Sequence, residues 1–294
     1  DGADSSAING NLNYGTIVAV LNHYSTTDAK VQIWEYNNSS MQFTKQGELG
    51  KDTEQPSDDK GASDNWSASS LWLNDDGTRL IIGAPKSDYT VGDVKTSEVG
   101  SVKLCSYVDS SWKIDKTIYP DDIVNQLYFG YSISLNNDGT VMTIGSKRYV
   151  YIKRLQNPSS PNEWTDWKKI DIGVNVDLSK TRVSINYMGD VVAFGYKYGN
   201  NNKGYIKVYN YDSSSTDADW SQKGSDIIGT QPDSQIGISK FELDSSGDYL
   251  VAGEYGISAA NGGSQWGVWK YTNDWTLAKS YNSPDWTNSG NEIN

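Results

Sequence analysis

Phe129-Gly130-Tyr131-Ser132-Ile133-Ser134-Leu135-Asn136-Asn137-Asp138-Gly139-Thr140 is followed at once by Val141-Met142-Thr143-Ile144-Gly145. The first half alternates apolar with small polar residues, the period-2 mark of a strand. Asn-x-Asp-Gly-Thr then supplies a hairpin turn with glycine at a positive-φ position. The apolar run after it is a second, more buried strand. Trp72-Leu73-Asn74-Asp75-Asp76-Gly77-Thr78 repeats the pattern, and Ser184–Asp190 and Glu242–Asp248 are weaker copies. Asn13-Tyr14-Gly15-Thr16 is a shorter fifth copy.

The turn glycines are Gly15, Gly77, Gly139, Gly189 and Gly247, at intervals of 62, 62, 50 and 58 residues. The residues after Gly247 and those up to Gly15 together make one more 62-residue period, so the segment holds five repeats. Each repeat continues alike. A third strand is expected at Val31–Trp34, Val102–Cys105, Val150–Ile152, Ile206–Tyr209 and Trp266–Trp269. A fourth is opened by Trp112, Trp167, Trp220 and Trp275, with Met41 or Phe43 in that place in the first repeat. With no helical period, the expected fold is all-β: a five-bladed β-propeller with four antiparallel strands per blade, closing the edges an isolated sheet would expose. The blades run over about 1–50, 60–120, 126–173, 177–229 and 236–283 of a single domain 1–294, with 284–294 as a tail. A straight β-solenoid is the competing architecture, but its repeats are usually shorter.

Composition limits the function. Lys and Arg number 25 against 37 Asp and Glu, a net charge of −12, which disfavours nucleic acid and anionic lipid as partners. No apolar run reaches the ~18 residues of a membrane span, so no membrane insertion is expected. The polar start Asp1-Gly2-Ala3-Asp4 reads as a chain whose signal peptide is already removed. One cysteine, Cys105, allows no internal disulfide, and one histidine, His23, excludes zinc sites built on several His or Cys. Eleven Trp and 20 Tyr separate the chain from disordered acidic proteins.

Phe129-Gly130, Gly83-Ala84-Pro85, Gly100-Ser101-Val102 and the tryptophan before strand four resemble the FG-GAP repeat family. The resemblance implies propeller blades of the kind found in extracellular adhesion proteins, including the integrin α-chain head. The chain departs from the family in two respects. Many members have seven blades, and many carry a calcium loop Asp-x-Asp-x-Asp-Gly. Asn74-Asp75-Asp76-Gly77 and Asn136-Asn137-Asp138-Gly139 lack those alternating oxygen ligands, so no metal and no cofactor is expected.

In such a fold the loops joining strand two to three and four to one share a face, the place for variable binding groups. They offer Asp88, Tyr89 and Asp93 in the long loop of repeat two, Lys86 to Val99, and Tyr198 and Asn201 in repeat four. Repeat five adds Tyr255. Tyr stacks at little entropic cost, and Asn and Asp hydrogen-bond hydroxyls, as protein- and carbohydrate-binding loops require. Asn37, Asn38 and Asn65 lie in Asn-x-Ser sequons and are glycosylation candidates in a secreted protein. A glycoside hydrolase needs two or three carboxylates, and among the polar positions of the first strands only Glu242 is acidic. The sequence therefore points to a non-enzymatic extracellular module binding a protein or glycan on a cell or particle surface. A self-assembling structural subunit is the alternative. Because Gly77 must hold positive φ, Gly77→Val is expected to cost about 1–3 kcal/mol in urea unfolding; an unchanged midpoint would refute this turn register.

Overall fold

The computed structural model describes residues 6–8, 16–22, 29–50, 53, 68–156, 164–172, 181–197, 201–213, 219–238, 240–254 and 265–282. The chain divides into two compact units, 1–180 and 181–294. Every secondary-structure element among the described residues is a strand.

The first unit holds three four-stranded sheets. Sheet one is β1 (Ser6–Ile8), β2 (Thr16–Asn22), β3 (Lys30–Asn37) and β4 (Gln42–Leu49). Sheet two begins with β5 (Ser70–Leu73) and β6 (Arg79–Ala84). A separate two-stranded hairpin, β7 (Tyr89–Val91) and β8 (Val94–Thr96), follows. β9 (Ser101–Val108) and β10 (Ser111–Ile118) complete sheet two. Sheet three is β11 (Ser132–Leu135), β12 (Val141–Gly145), β13 (Tyr149–Arg154) and β14 (Lys168–Asp171). In the second unit, sheet four contains β15 (Arg182–Ile185), β16 (Val191–Tyr196) and β17 (Tyr205–Asp212). Its fourth place is shared by β18 (Asp219–Gln222) and β19 (Ile227–Ile228), which pair with opposite ends of β17. Sheet five is β20 (Phe241–Leu243), β21 (Tyr249–Glu254), β22 (Gln265–Tyr271) and β23 (Trp275–Asn282). Consecutive strands in each sheet pair antiparallel, for example Ser132↔Gly145 to Leu135↔Met142. The four-stranded antiparallel organisation read from the repeats is present.

The apolar cores lie between consecutive sheets of a unit. Leu21, Val31 and Ile33 of sheet one pack with Leu71, Leu80 and Trp112 of sheet two. Val102 and Ile118 pack with Met142 and Tyr151 of sheet three. In the second unit Ala193 and Val208 meet Phe241 and Leu250. All of β12 and β16 is buried. That is why these strands read as unbroken apolar runs rather than alternating ones.

The turns between first and second strands are clamped by their leading residue. Asn136 Oδ1 accepts from the backbone N–H of Thr140 at 2.9 Å and of Val141 at 2.8 Å. Asn186 and Asp244 do the same for Asp190/Val191 and Asp248/Tyr249. The oxygens that a calcium loop would turn to an ion here serve the backbone. Gly77, Gly139, Gly189 and Gly247 sit at φ between 71° and 74°, as the turn requires. Gly15 lies outside the described residues.

The Phe129-Gly130 signature has a direct physical reading. Just before sheet three, the chain runs beside the end of the loop that enters β9. Phe129 forms a parallel bridge with Gly100, and its N–H donates to Val99 O at 2.9 Å. The second unit repeats the joint between Gly204 and Ile236, with Ile236 N–H donating to Lys203 O at 2.9 Å. A Cβ on Gly204 would overlap Ile236 O, and its φ is +72°. Gly92, in the β7–β8 turn, has φ +58° but open space around it. Gly92→Ala therefore carries only the left-handed backbone cost, about 1–2 kcal/mol. Gly204→Ala adds a backbone collision and is expected to cost more than about 3 kcal/mol in urea unfolding; equal losses for the two would disprove the close-approach account.

Candidate functional site

The long polar loop expected between β6 and β9 is partly regular. It folds as the β7–β8 hairpin, with Tyr89↔Thr96 and Val91↔Val94 paired across Gly92-Asp93. Short β-rich runs on either side of Gly-Asp are a hairpin signal in their own right. Asp88 is 5% exposed and holds the hairpin base. Its Oδ1 accepts from Glu98 N–H at 2.8 Å, and Oδ2 pairs with Lys95 Nζ at 2.9 Å. Tyr89 packs edge-on against Tyr119, ring centres 4.9 Å apart. Asp93 is exposed at the tip between Val91 and Val94, which are 54% and 71% exposed.

In the second unit Asn201 and the adjacent Asn202 both take positive φ, and Asn202 Nδ2 donates to Asp233 Oδ1 at 3.0 Å. Tyr198, Tyr255, Asn65 and His23 lie outside the described residues. Asn37 and Asn38 are exposed at the β3–β4 turn, where Asn37 Oδ1 accepts from the N–H groups of Ser39 and Ser40. Glu242, on β20, accepts from Ser184 Oγ at 3.1 Å and pairs with Lys240 at 3.4 Å. Burial nevertheless pushes its carboxyl above the usual range.

The tryptophan pattern needs one correction. Trp112, Trp220 and Trp275 each stand across the third-to-fourth-strand hairpin from a tyrosine, in the pairs Tyr107↔Trp112, Tyr211↔Trp220 and Tyr271↔Trp275. Their ring centres are 5.3–5.5 Å apart. In sheet three the residue in this place is Trp164, bridged to Leu155, and not Trp167. The extra residues between Leu155 and Trp164 hid the correspondence. Trp167 instead packs with Phe129 and Tyr151 at 5.5 and 5.6 Å, under Lys153 Nζ at 4.3 Å.

This correction locates a site that sequence reasoning missed. The fourth strands of sheets one and two carry a bulge, at Gln46 and at Asp115. Gln46 Oε1 accepts from the hydroxyl of Tyr107 in the next sheet at 3.0 Å. Asp115, its equivalent, faces a sheet whose residue in the place of Tyr107 is Leu155. A small cavity of about 40 Å³ lies there, lined by Arg79, Leu104, Cys105, Ser106, Asp115 and Trp164, among others. It is at the turn end of the sheets, opposite the loops the sequence favoured.

Ser106 Oγ donates to Asp115 at 2.9 Å, and Arg79 Nη1 donates to Gly139 O at 3.2 Å. Burial pushes the Asp115 carboxyl upward, opposed by Ser106 and the Arg79 charge. The indole N–H of Trp164 is buried with no partner among the described residues, whereas that of Trp275 donates to Lys223 O at 2.7 Å. Cys105 is buried, which pushes its thiol far above the usual value and holds it protonated at neutral pH. The lining thus brings together one carboxylate, one guanidinium and a protonated thiol.

No protein-family model and no curated protein matches the chain. Solved structures do resemble it in fold. The Dos1 propeller is 13% identical with a TM-score of 0.54, over 96% of this chain and 61% of that one. A hypothetical selenium-binding protein from Sulfolobus tokodaii is 8% identical with a TM-score of 0.54, over 90% and 59%. Hydrazine synthase of Kuenenia stuttgartiensis is 11% identical with a TM-score of 0.51, over 90% and 64%. The chain thus spans about 60% of the length of these chains. At such identities the likeness concerns the fold alone.

Glu242 offers a pH test. A carboxyl raised in the folded state stabilises folding below its unfolded value and loses that contribution as pH rises through the folded one. Glu242→Gln is therefore expected to match or exceed the wild type at pH 7, by less than about 1 kcal/mol because the side chain is still 41% exposed. The difference should vanish below about pH 4; a clear loss at pH 7 would contradict the assigned burial.

Proposed function

We propose that the chain is a non-enzymatic binding module whose five sheets are the blades of one β-propeller of FG-GAP type. It acts at an extracellular surface and recognises its partner through the end that carries the loops between second and third strands. The β7–β8 hairpin carries this reading. Its base is fastened by Asp88, so a short β-ribbon is held out with Val91, Asp93, Val94 and Lys95 exposed at its end. Two exposed valines beside one acid and one base suit a protein surface, where a small apolar centre sits inside a polar rim. The exposed asparagines of the β3–β4 turn fit a secreted protein that can carry glycans there. Glu242, tied to Ser184 and Lys240, supports binding over glycoside hydrolysis.

The test is binding of the labelled chain to intact cells and to a glycan array, with Val91→Ser/Val94→Ser as the comparison. Saturable binding without turnover, lost in the double variant at unchanged melting temperature, is the expected result. Ordered polymers with no saturable binding would favour the structural subunit, and hydrolysis of an arrayed glycan would overturn the non-enzymatic reading.

A further inference from the structure

At the cavity bounded by Asp115, Arg79 and Trp164 one repeat of the first unit departs from its neighbour. Between sheets one and two, Tyr107 stacks on Trp112 and hands its hydroxyl to the bulge residue Gln46 at 3.0 Å. Between sheets two and three the stacking tryptophan (Trp164) and the bulge acceptor (Asp115) are both kept. The phenol is absent, because the bridged residue opposite Trp164 is Leu155. What remains is an acceptor without that hydroxyl: Asp115, exposed at the edge of the cavity, takes only Ser106 Oγ among the described residues, at 2.9 Å. The Arg79 guanidinium spends one N–H on Gly139 O and acts on Asp115 by its charge, without a direct ion pair between them among the described residues. Apolar walls come from Leu80, Ile81, Leu104 and Leu135.

We propose that this cavity binds a small phenolic ligand, its hydroxyl donated to Asp115 and its ring against the apolar wall, in the role that Tyr107 plays one sheet earlier. A volume of about 40 Å³ takes the hydroxyl and the carbons next to it, so the far edge of the ring stays in the mouth. A hydroxyl, which both donates and accepts, is the fitting group because the polar part of the lining holds a charged acceptor, Asp115, and a guanidinium, Arg79, beside the apolar wall. A carboxylate would meet Asp115 as a like charge, and an ammonium would meet Arg79. The inference stands apart from the loop-end reading, since it concerns the opposite end of the sheets.

The experiment follows the Trp164 indole N–H by heteronuclear NMR, assigned with Trp164→Phe, while phenol, benzene or N-acetyltyrosinamide is added. Phenol is expected to shift that resonance saturably and benzene at least roughly tenfold more weakly, a charge-assisted hydrogen bond being worth that much. Leu155→Tyr places the phenol in the chain itself; it should raise the melting temperature and abolish the response. Asp115→Ala should weaken phenol by roughly tenfold or more without loss of fold, so the proposal is tested even if Leu155→Tyr does not fold. A response to N-acetyltyrosinamide as strong as to phenol would assign the site to a partner's tyrosine and displace the small-ligand proposal. No saturable shift, equal shifts with benzene, or full binding by Leu155→Tyr would overturn it and leave a cavity for water alone.

Discussion

The architecture within each unit rests on how closely two backbones approach where one sheet hands over to the next. Gly100 against Phe129, and Gly204 against Ile236, bring main chains together with no room for a side chain between them. The residues before each joint make three successive backbone hydrogen bonds to the preceding loop. Gln126, Tyr128 and Phe129 donate to Ser97, Glu98 and Val99, and Asp233, Gln235 and Ile236 donate to Asn201, Asn202 and Lys203. Several of these residues hold positive φ without being glycine, among them Gln126, Tyr128, Asp233 and Gln235. Such conformations persist only where the surroundings over-determine them, and here the hydrogen-bond ladder does so. Once the joint is made, the apolar faces of the two sheets are aligned and the core between them can close.

Much of this was legible in the sequence because it depends on short-range chemistry. The Asn-x-Asp-Gly turns announce themselves by residue type, and runs such as Val191-Val192-Ala193-Phe194 announce a strand covered on both faces. Phe129-Gly130 and Gly83-Ala84-Pro85 were visible as a signature, but their meaning was not. Only the structure shows that Gly83, Gly100 and Gly130 belong to one contact.

The candidate site was far less legible, for two physical reasons. Register across a long hairpin cannot be counted along the chain, so Trp167 looked like the opener of strand four although Trp164 is the residue that pairs. And the replacement of a tyrosine leaves no residue to notice: Leu155 is an ordinary apolar residue until Tyr107, Tyr211 and Tyr271 are laid beside it. Asp88 is the opposite case. An acidic residue in a long polar loop suggested an outward ligand, yet its carboxylate turns inward to cap Glu98 N–H and hold Lys95.

The clamped turns carry a consequence for how the chain ages. Asp76-Gly77 and Asp138-Gly139 are dipeptides of the kind that rearrange to isoaspartate, when the glycine nitrogen attacks the neighbouring carboxyl carbon. Here Gly77 N–H is held by Asn74 O at 3.0 Å and Gly139 N–H by Asn136 O at 3.1 Å. The carboxylates themselves are fixed by Thr78 and Thr140. With nucleophile and electrophile each bound elsewhere, the geometry that forms a succinimide is withheld. The same hydrogen bonds that shape the turn therefore give chemical durability at two labile peptide links.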